Sequence, residues 1–96
     1  MKDVHIKDNK GQVDRPSVKI SRDRKGEITW FAYGESGATI TFSSPDGSPF
    51  KESVFTVPAT GSVSSGPVKK SADLKTYKYT VVGKGGSTDP VVIIDN

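Results

Sequence analysis

Apolar and polar residues alternate in short runs along this chain, and clusters of turn-forming residues separate the runs. Val4 and Ile6 alternate with His5 and Lys7, and Val18 and Ile20 alternate with Lys19 and Ser21. A period of two places one set of side chains on a single face of an extended strand, so both segments read as strands with one buried face. The charged turn Arg22-Asp23-Arg24-Lys25-Gly26 leads into a third strand, with Ile28 and Trp30 inward and Phe31 of opposite parity. After the break Tyr33-Gly34-Glu35-Ser36-Gly37 comes Thr39-Ile40-Thr41-Phe42, a fourth strand. Ser44-Pro45-Asp46-Gly47-Ser48-Pro49 is a turn cluster, because proline presets φ and glycine accepts positive φ. Val54 to Val57 is a short fifth strand closed by Pro58. Gly61 to Val68 is a weaker sixth, whose Pro67 points to a sheet edge. Leu74 to Val82 is the longest run, with Tyr77, Tyr79 and Val81 on one face and Lys78 and Thr80 on the other. Gly83-Lys84-Gly85-Gly86 predicts a flexible loop. Val91 to Ile94 is apolar without interruption, which predicts a strand buried on both faces. The chain thus carries about eight short strands spaced by turns, the pattern of an all-β sandwich or barrel. No helical period, internal repeat or linker interrupts it, so residues 1–96 are expected to form one domain.

Composition sharpens the same picture. Eleven Val, six Ile and eight Thr stand against one Leu and one Met. β-branched side chains suit a pleated surface, whereas Leu and Met suit helices. Ile, Leu, Val and Phe together number 22 of 96 residues, just above the level that marks disordered chains, and their clean alternation argues for folding. Cysteine is absent, which excludes disulfides, zinc-cysteine and iron–sulfur clusters and a thiol nucleophile. Met1-Lys2-Asp3 shows no apolar leader, so the chain as written is expected in the cytoplasm, or exported if Met1 stands where a leader was removed. No apolar run is long enough to span a membrane. The net charge of +3 is mildly basic.

The order of these pieces resembles the cupredoxin (plastocyanin-like) family. Pro16-Ser17-Val18-Lys19-Ile20, Gly26-Glu27-Ile28-Thr29-Trp30, Ala38-Thr39-Ile40-Thr41-Phe42, Pro49-Phe50 and Tyr77-Lys78-Tyr79-Thr80-Val81 carry the resemblance. It implies a Greek-key β-sandwich. In copper-binding members the last piece reads Tyr-x-Tyr-x-Cys and is followed by His and Met ligands. Here Val81 stands at the cysteine position and Ala38 near the first histidine, and neither His nor Met follows Val81. A blue-copper centre needs two imidazoles and a thiolate, so the resemblance implies the fold without the metal and without any cofactor. Asp73-Leu74-Lys75-Thr76-Tyr77-Lys78-Tyr79 is also similar to the Asp-x-Gly-x-Tyr-x-Cys stretch of immunoglobulin-like domains. On that alternative Tyr77 is a tyrosine corner and Trp30 the buried strand tryptophan.

Candidate chemistry is sparse. His5, the sole histidine, alternates with inward Val4 and Ile6 and reads as exposed rather than as a ligand or base. Without it no nucleophilic triad exists, and the eleven acidic residues are scattered beside turns, so no enzyme is expected. Gly83-Lys84-Gly85-Gly86-Ser87-Thr88 departs from a phosphate loop, since Lys84 precedes two glycines and the segment joins two strands. Trp30, Phe42, Tyr77 and Tyr79 are predicted core. The resemblance brings the Tyr33 and Gly83–Pro90 loops to the end where copper would sit. Tyr33, Phe50, Lys84, Gly85 and Gly86 are therefore the candidate surface for a partner protein, with the glycines letting the loop adjust. Arg22, Arg24, Lys25, Lys69 and Lys70 form an alternative basic patch for nucleic acid or another polyanion. Nucleic acid is the less favoured partner, because interleaved aromatics for base stacking are missing near the patch.

Overall fold

The computed structural model describes residues 2–43 and 45–96. The turn predicted from Ser44 therefore opens outside the described residues, and Pro45 to Pro49 form its described part. Ten strands follow in order: β1 Lys2–His5, β2 Ser17–Ser21, β3 Ile28–Phe31, β4 Ala38–Thr41, β5 Val54–Val57, β6 Ser62–Ser64, β7 Thr76–Lys78, β8 Thr80–Val82, β9 Ser87–Thr88 and β10 Val91–Asp95. They pair as β1-β3-β6, β2-β10-β7 and β5-β4-β8-β9. The β1–β3 and β2–β10 pairs are parallel and the rest antiparallel. The shortest principal extent is 19 Å, which accommodates two stacked sheet layers and no third. Among the described residues no helix is long and apolar enough to cross a membrane.

The predicted parities hold where a strand has one dry face. Val4, Ile28, Trp30, Ile40, Val81 and Val92 are fully buried, while the residues between them are exposed or half-buried. Each such side chain contributes about 1.5–3 kcal/mol of transfer free energy. Trp30 lies at the centre, with ring centroids 5.3 Å from Phe55 and 5.6 Å from Tyr79 in tilted and edge-on contacts. The buried residues make one core.

Three expectations are corrected. Leu74 to Val82 is not one strand: β7 pairs with β10 and β8 with β4, and Tyr79 stands between them, its N–H donating to the Pro90 carbonyl at 3.0 Å. Tyr77, Tyr79 and Val81 all stay in the core across the switch, so the alternation never breaks, while Leu74 is exposed. Second, β10 is buried on one face only, with Val92 and Ile94 inside and Val91 and Ile93 half-buried. It reads as continuously apolar because it is the central strand between β2 and β7. Third, Gly83–Gly86 is a tight hairpin turn leading into β9 rather than a free loop, with the Gly83 N–H donating to the Gly86 carbonyl at 2.8 Å. Its glycines serve close packing. A Cβ on Gly83 would stand 2.3 Å from the Asn9 carbonyl oxygen, and the Gly85 N–H donates to that same oxygen at 2.9 Å.

Candidate functional site

Strand register defines two ends of the sandwich. Ala38 pairs with Val57, Thr39 with Val82 and Phe31 with Ser62, so the 33–37, 58–61 and 83–86 turns gather at one end. The 22–27, 42–53 and 65–75 connections gather at the other.

The first end is where a cupredoxin holds copper. Val81 is fully buried, faces Ile40 across the β4–β8 pair, and is roofed by Gly11 at φ 82°, where a Cβ would meet the Val81 carbonyl. Ala38 is buried beside it in the same sheet. Methyl groups offer a metal no electron pair, so these residues do not fit copper. His5, the one imidazole, is exposed as expected. It stacks on Phe31 with centroids 4.6 Å apart, and its Nδ1 lies 3.4 Å from the Asp14 carboxylate. Among the described residues no three His, Asp or Glu side chains cluster closely enough to hold a metal ion.

The candidate partner surface is divided by the structure. Tyr33 is 48% exposed at the first end, and Lys84, Gly85 and Gly86 are exposed in the hairpin turn there. Phe50 is not with them. It is fully buried, bridges to Val68 at the second end, and packs against Phe42 with centroids 5.6 Å apart. The cause is local. The buried Ser48 hydroxyl donates to the Glu52 carbonyl at 2.7 Å and accepts from the Phe50 N–H at 3.0 Å. That bond pair folds the 48–52 loop so that its ring turns inward.

The basic patch, by contrast, is assembled. The Val68 N–H donates to the Gly26 carbonyl at 3.1 Å and the Lys69 N–H to the Pro49 carbonyl at 2.9 Å, which ties three connections together. The Arg22 guanidinium donates to the Ala72 carbonyl at 2.9 Å and braces the 69–72 turn. The result is an open groove of about 970 Å³ whose rim carries Arg22, Lys25, Lys51, Lys69 and Lys70. Its floor is Phe55, Pro67 and Val68. Lys51 escaped the sequence reading because it is a lone cation beside an aromatic; only the meeting of the loops shows its place. Arg24 faces a neighbouring depression with Lys2 and Lys19, and Lys25 borders both. Lys25 holds φ 55°, the left-handed region, in the turn closed by its N–H donating to the Arg22 carbonyl at 3.1 Å. A side chain there costs on the order of 1–2 kcal/mol.

Two groups outside the groove titrate away from their ordinary values. The hydrogen bond from Lys75 Nζ to the Asp46 carboxylate raises the lysine pKa. Burial pushes the Tyr79 phenol, which accepts a bond from Trp30 Nε1 at 3.2 Å, up to about 12. Tyr77 also hydrogen-bonds through its hydroxyl, accepting from the Asp73 N–H at 2.9 Å and donating to the Asp73 carbonyl at 3.1 Å. This is the corner bond that the immunoglobulin-like alternative assigned to it.

The overall path of the chain decides between the two sandwiches. It superposes on a proline-to-glycine mutant of amicyanin in its reduced Cu(I) form at pH 4, with a TM-score of 0.64, 15% identity, and coverage of 98% of this chain and 81% of that one. No family model matches the sequence, and no curated protein matches it either. The fold is a cupredoxin-like β-sandwich, and the copper ligands are missing from it.

Proposed function

We propose that this chain is a non-enzymatic binding module: a single cupredoxin-like domain, free of copper, that acts through contacts with another protein and docks at its basic end. One observation carries the reading. Five cations from three separate connections converge on one apolar-floored groove, held by the Val68–Gly26 and Lys69–Pro49 backbone bonds and by the Arg22 guanidinium on the Ala72 carbonyl. Concave sites with an apolar floor and a few charged groups on the rim suit recognition. A second reading, docking on nucleic acid or another polyanion, draws on the same cations. Against it, among the described residues a single aromatic side chain, Phe55, lines the groove, whereas stacking of successive bases draws on several. Tyr33 with the 83–86 turn lies at the opposite end of the sandwich and takes no part in this docking.

The test is affinity capture from the source cell with three baits: wild type, Tyr33→Ala, and Lys69→Glu with Lys70→Glu. The proposal expects one set of proteins retained by the first two baits, lost with the third, and insensitive to nuclease. Capture that nuclease abolishes would favour the polyanion reading. Capture lost with Tyr33→Ala alone would move the site to the opposite end.

A further inference from the structure

Resting on the protein-contact reading above, we infer that the groove receives an extended acidic polypeptide segment, added as a strand beside β6, in which acidic side chains alternate with small apolar ones. Three features of the groove lead there.

The first is charge. Arg22, Lys25, Lys51, Lys69 and Lys70 face only Asp23 and Glu52 around the rim. That surplus of three equals the net charge of the entire chain, so the rest of the molecule is formally neutral. Complementary charge steers association and selects among partners.

The second is the exposed sheet edge. β6 ends its sheet, with β3 on one side only, and β5 likewise ends the four-stranded sheet. Phe55 of β5 and Ser64 of β6 both line the groove, so it runs between two strand edges. Trp30 pairs with Val63, the Ser65 N–H donates to the Ile28 carbonyl at 2.8 Å, and the Ala32 N–H donates to the Gly61 carbonyl at 2.9 Å. The backbone groups of Gly61, Val63 and Ser65 therefore point toward β3, and those of Ser62 and Ser64 point toward the open side. An open strand edge is a template for a further strand.

The third is shape. Small residues, Ser64, Ser65 and Gly66, leave the backbone approachable, and Ser65 is kept inward by accepting from the Ile28 N–H at 2.9 Å and donating to the Gly66 carbonyl at 2.7 Å. In a strand added here alternate side chains face opposite ways. One set meets Phe55, Pro67 and Val68; the other reaches the lysine rim. A helix would need a broader apolar floor than three residues supply.

The experiment uses fluorescence anisotropy with the intact chain and four labelled probes. They are a peptide alternating Glu and Val, an isomer of the same composition with Glu and Val in two blocks, a peptide alternating Thr and Val, and single-stranded oligothymidylate. The alternating acidic peptide is expected to bind at least about tenfold more tightly than each of the others. Lys25→Glu with Lys69→Glu is expected to weaken it by at least about tenfold, and Tyr33→Ala is expected to leave it unchanged. Amide shifts from Phe55 and Ser64–Lys70 should move on titration while those of Gly83–Gly86 do not. Equal binding of the alternating Thr-Val peptide at the same amides overturns the acidic partner and leaves the protein-contact reading intact. Equal binding of the block isomer overturns the strand geometry. Oligothymidylate binding more tightly than every peptide overturns both the inference and that reading. No binding of any peptide, with the chain shown folded by circular dichroism, overturns the inference alone.

Discussion

Raising the pH through the phenol range acts on a buried atom of this core, the Tyr79 hydroxyl. That oxygen is buried beside Trp30 Nε1, and burial lifts its pKa from 10.0 to about 12. A pKa raised in the folded state means that the protonated phenol is favoured by folding. The associated stability is fully present below pH 10 and is lost as pH climbs from there through about 12. Two pH units at about 1.4 kcal/mol each give a loss of about 3 kcal/mol across that window. Lysines titrate in the same range, so the informative quantity is the difference between wild type and Tyr79→Phe. At neutral pH the variant leaves Trp30 Nε1 buried without its acceptor, which costs about 1–3 kcal/mol. The variant has no phenol to ionise, so its own alkaline loss is smaller and the two stability curves converge toward pH 12. Urea unfolding followed by the fluorescence of Trp30, repeated from neutral pH upward, measures both curves. Curves that stay parallel across the window would refute the reasoning and show that solvent reaches the Tyr79 hydroxyl in the folded state.

Three further outcomes follow from the geometry. Trp30→Ala empties the centre of the aromatic cluster and is expected to cost roughly 3–5 kcal/mol in denaturant unfolding; a loss under about 1 kcal/mol would place the residue outside the core. Gly83→Ala forces a Cβ to within 2.3 Å of the Asn9 carbonyl oxygen, so it is expected to lower the thermal midpoint, whereas Gly86→Ala, whose Cβ would meet Lys10 at an ordinary 3.6 Å, pushes no neighbour aside. Their midpoints, read by differential scanning calorimetry, should differ, with the Gly83 variant melting first. Elemental analysis of the purified chain is expected to find no stoichiometric copper or zinc, because Val81 and Ala38 stand where the ligands of a cupredoxin would be; one tightly bound equivalent would contradict that assignment.

Much of the fold was legible in the alternation, because a side chain's burial in a two-layer sandwich depends on strand parity and little else. Trp30, Tyr77, Tyr79 and Val81 were placed by parity alone. The division of Leu74 to Val82 into β7 and β8 left no trace in that signal, since both halves keep the same parity and only the identity of the hydrogen-bonding neighbour changes at Tyr79. Phe50 was misplaced for a related reason. It lies outside any strand, between Pro49 and Lys51, where no period exists to fix its direction; the pair of bonds made by Ser48 fixes it instead. Arg22, Lys25, Lys69 and Lys70 were visible as cations, but their convergence with Lys51 depends on contacts between connections far apart in the chain.

The place of β10 has a consequence for biosynthesis. It is the middle member of its sheet, and its parallel partner β2 lies near the opposite end of the sequence. A very long loop must close before the first bond between them can form, which slows folding and postpones it. A nascent chain that has not yet released Val91–Asp95 holds Val18, Ile20 and Tyr77 on two strands with a gap between them. Those bare edges invite pairing with other chains until the last strand arrives. Deleting Val91–Asp95 should therefore cost the whole fold and not merely one strand of it.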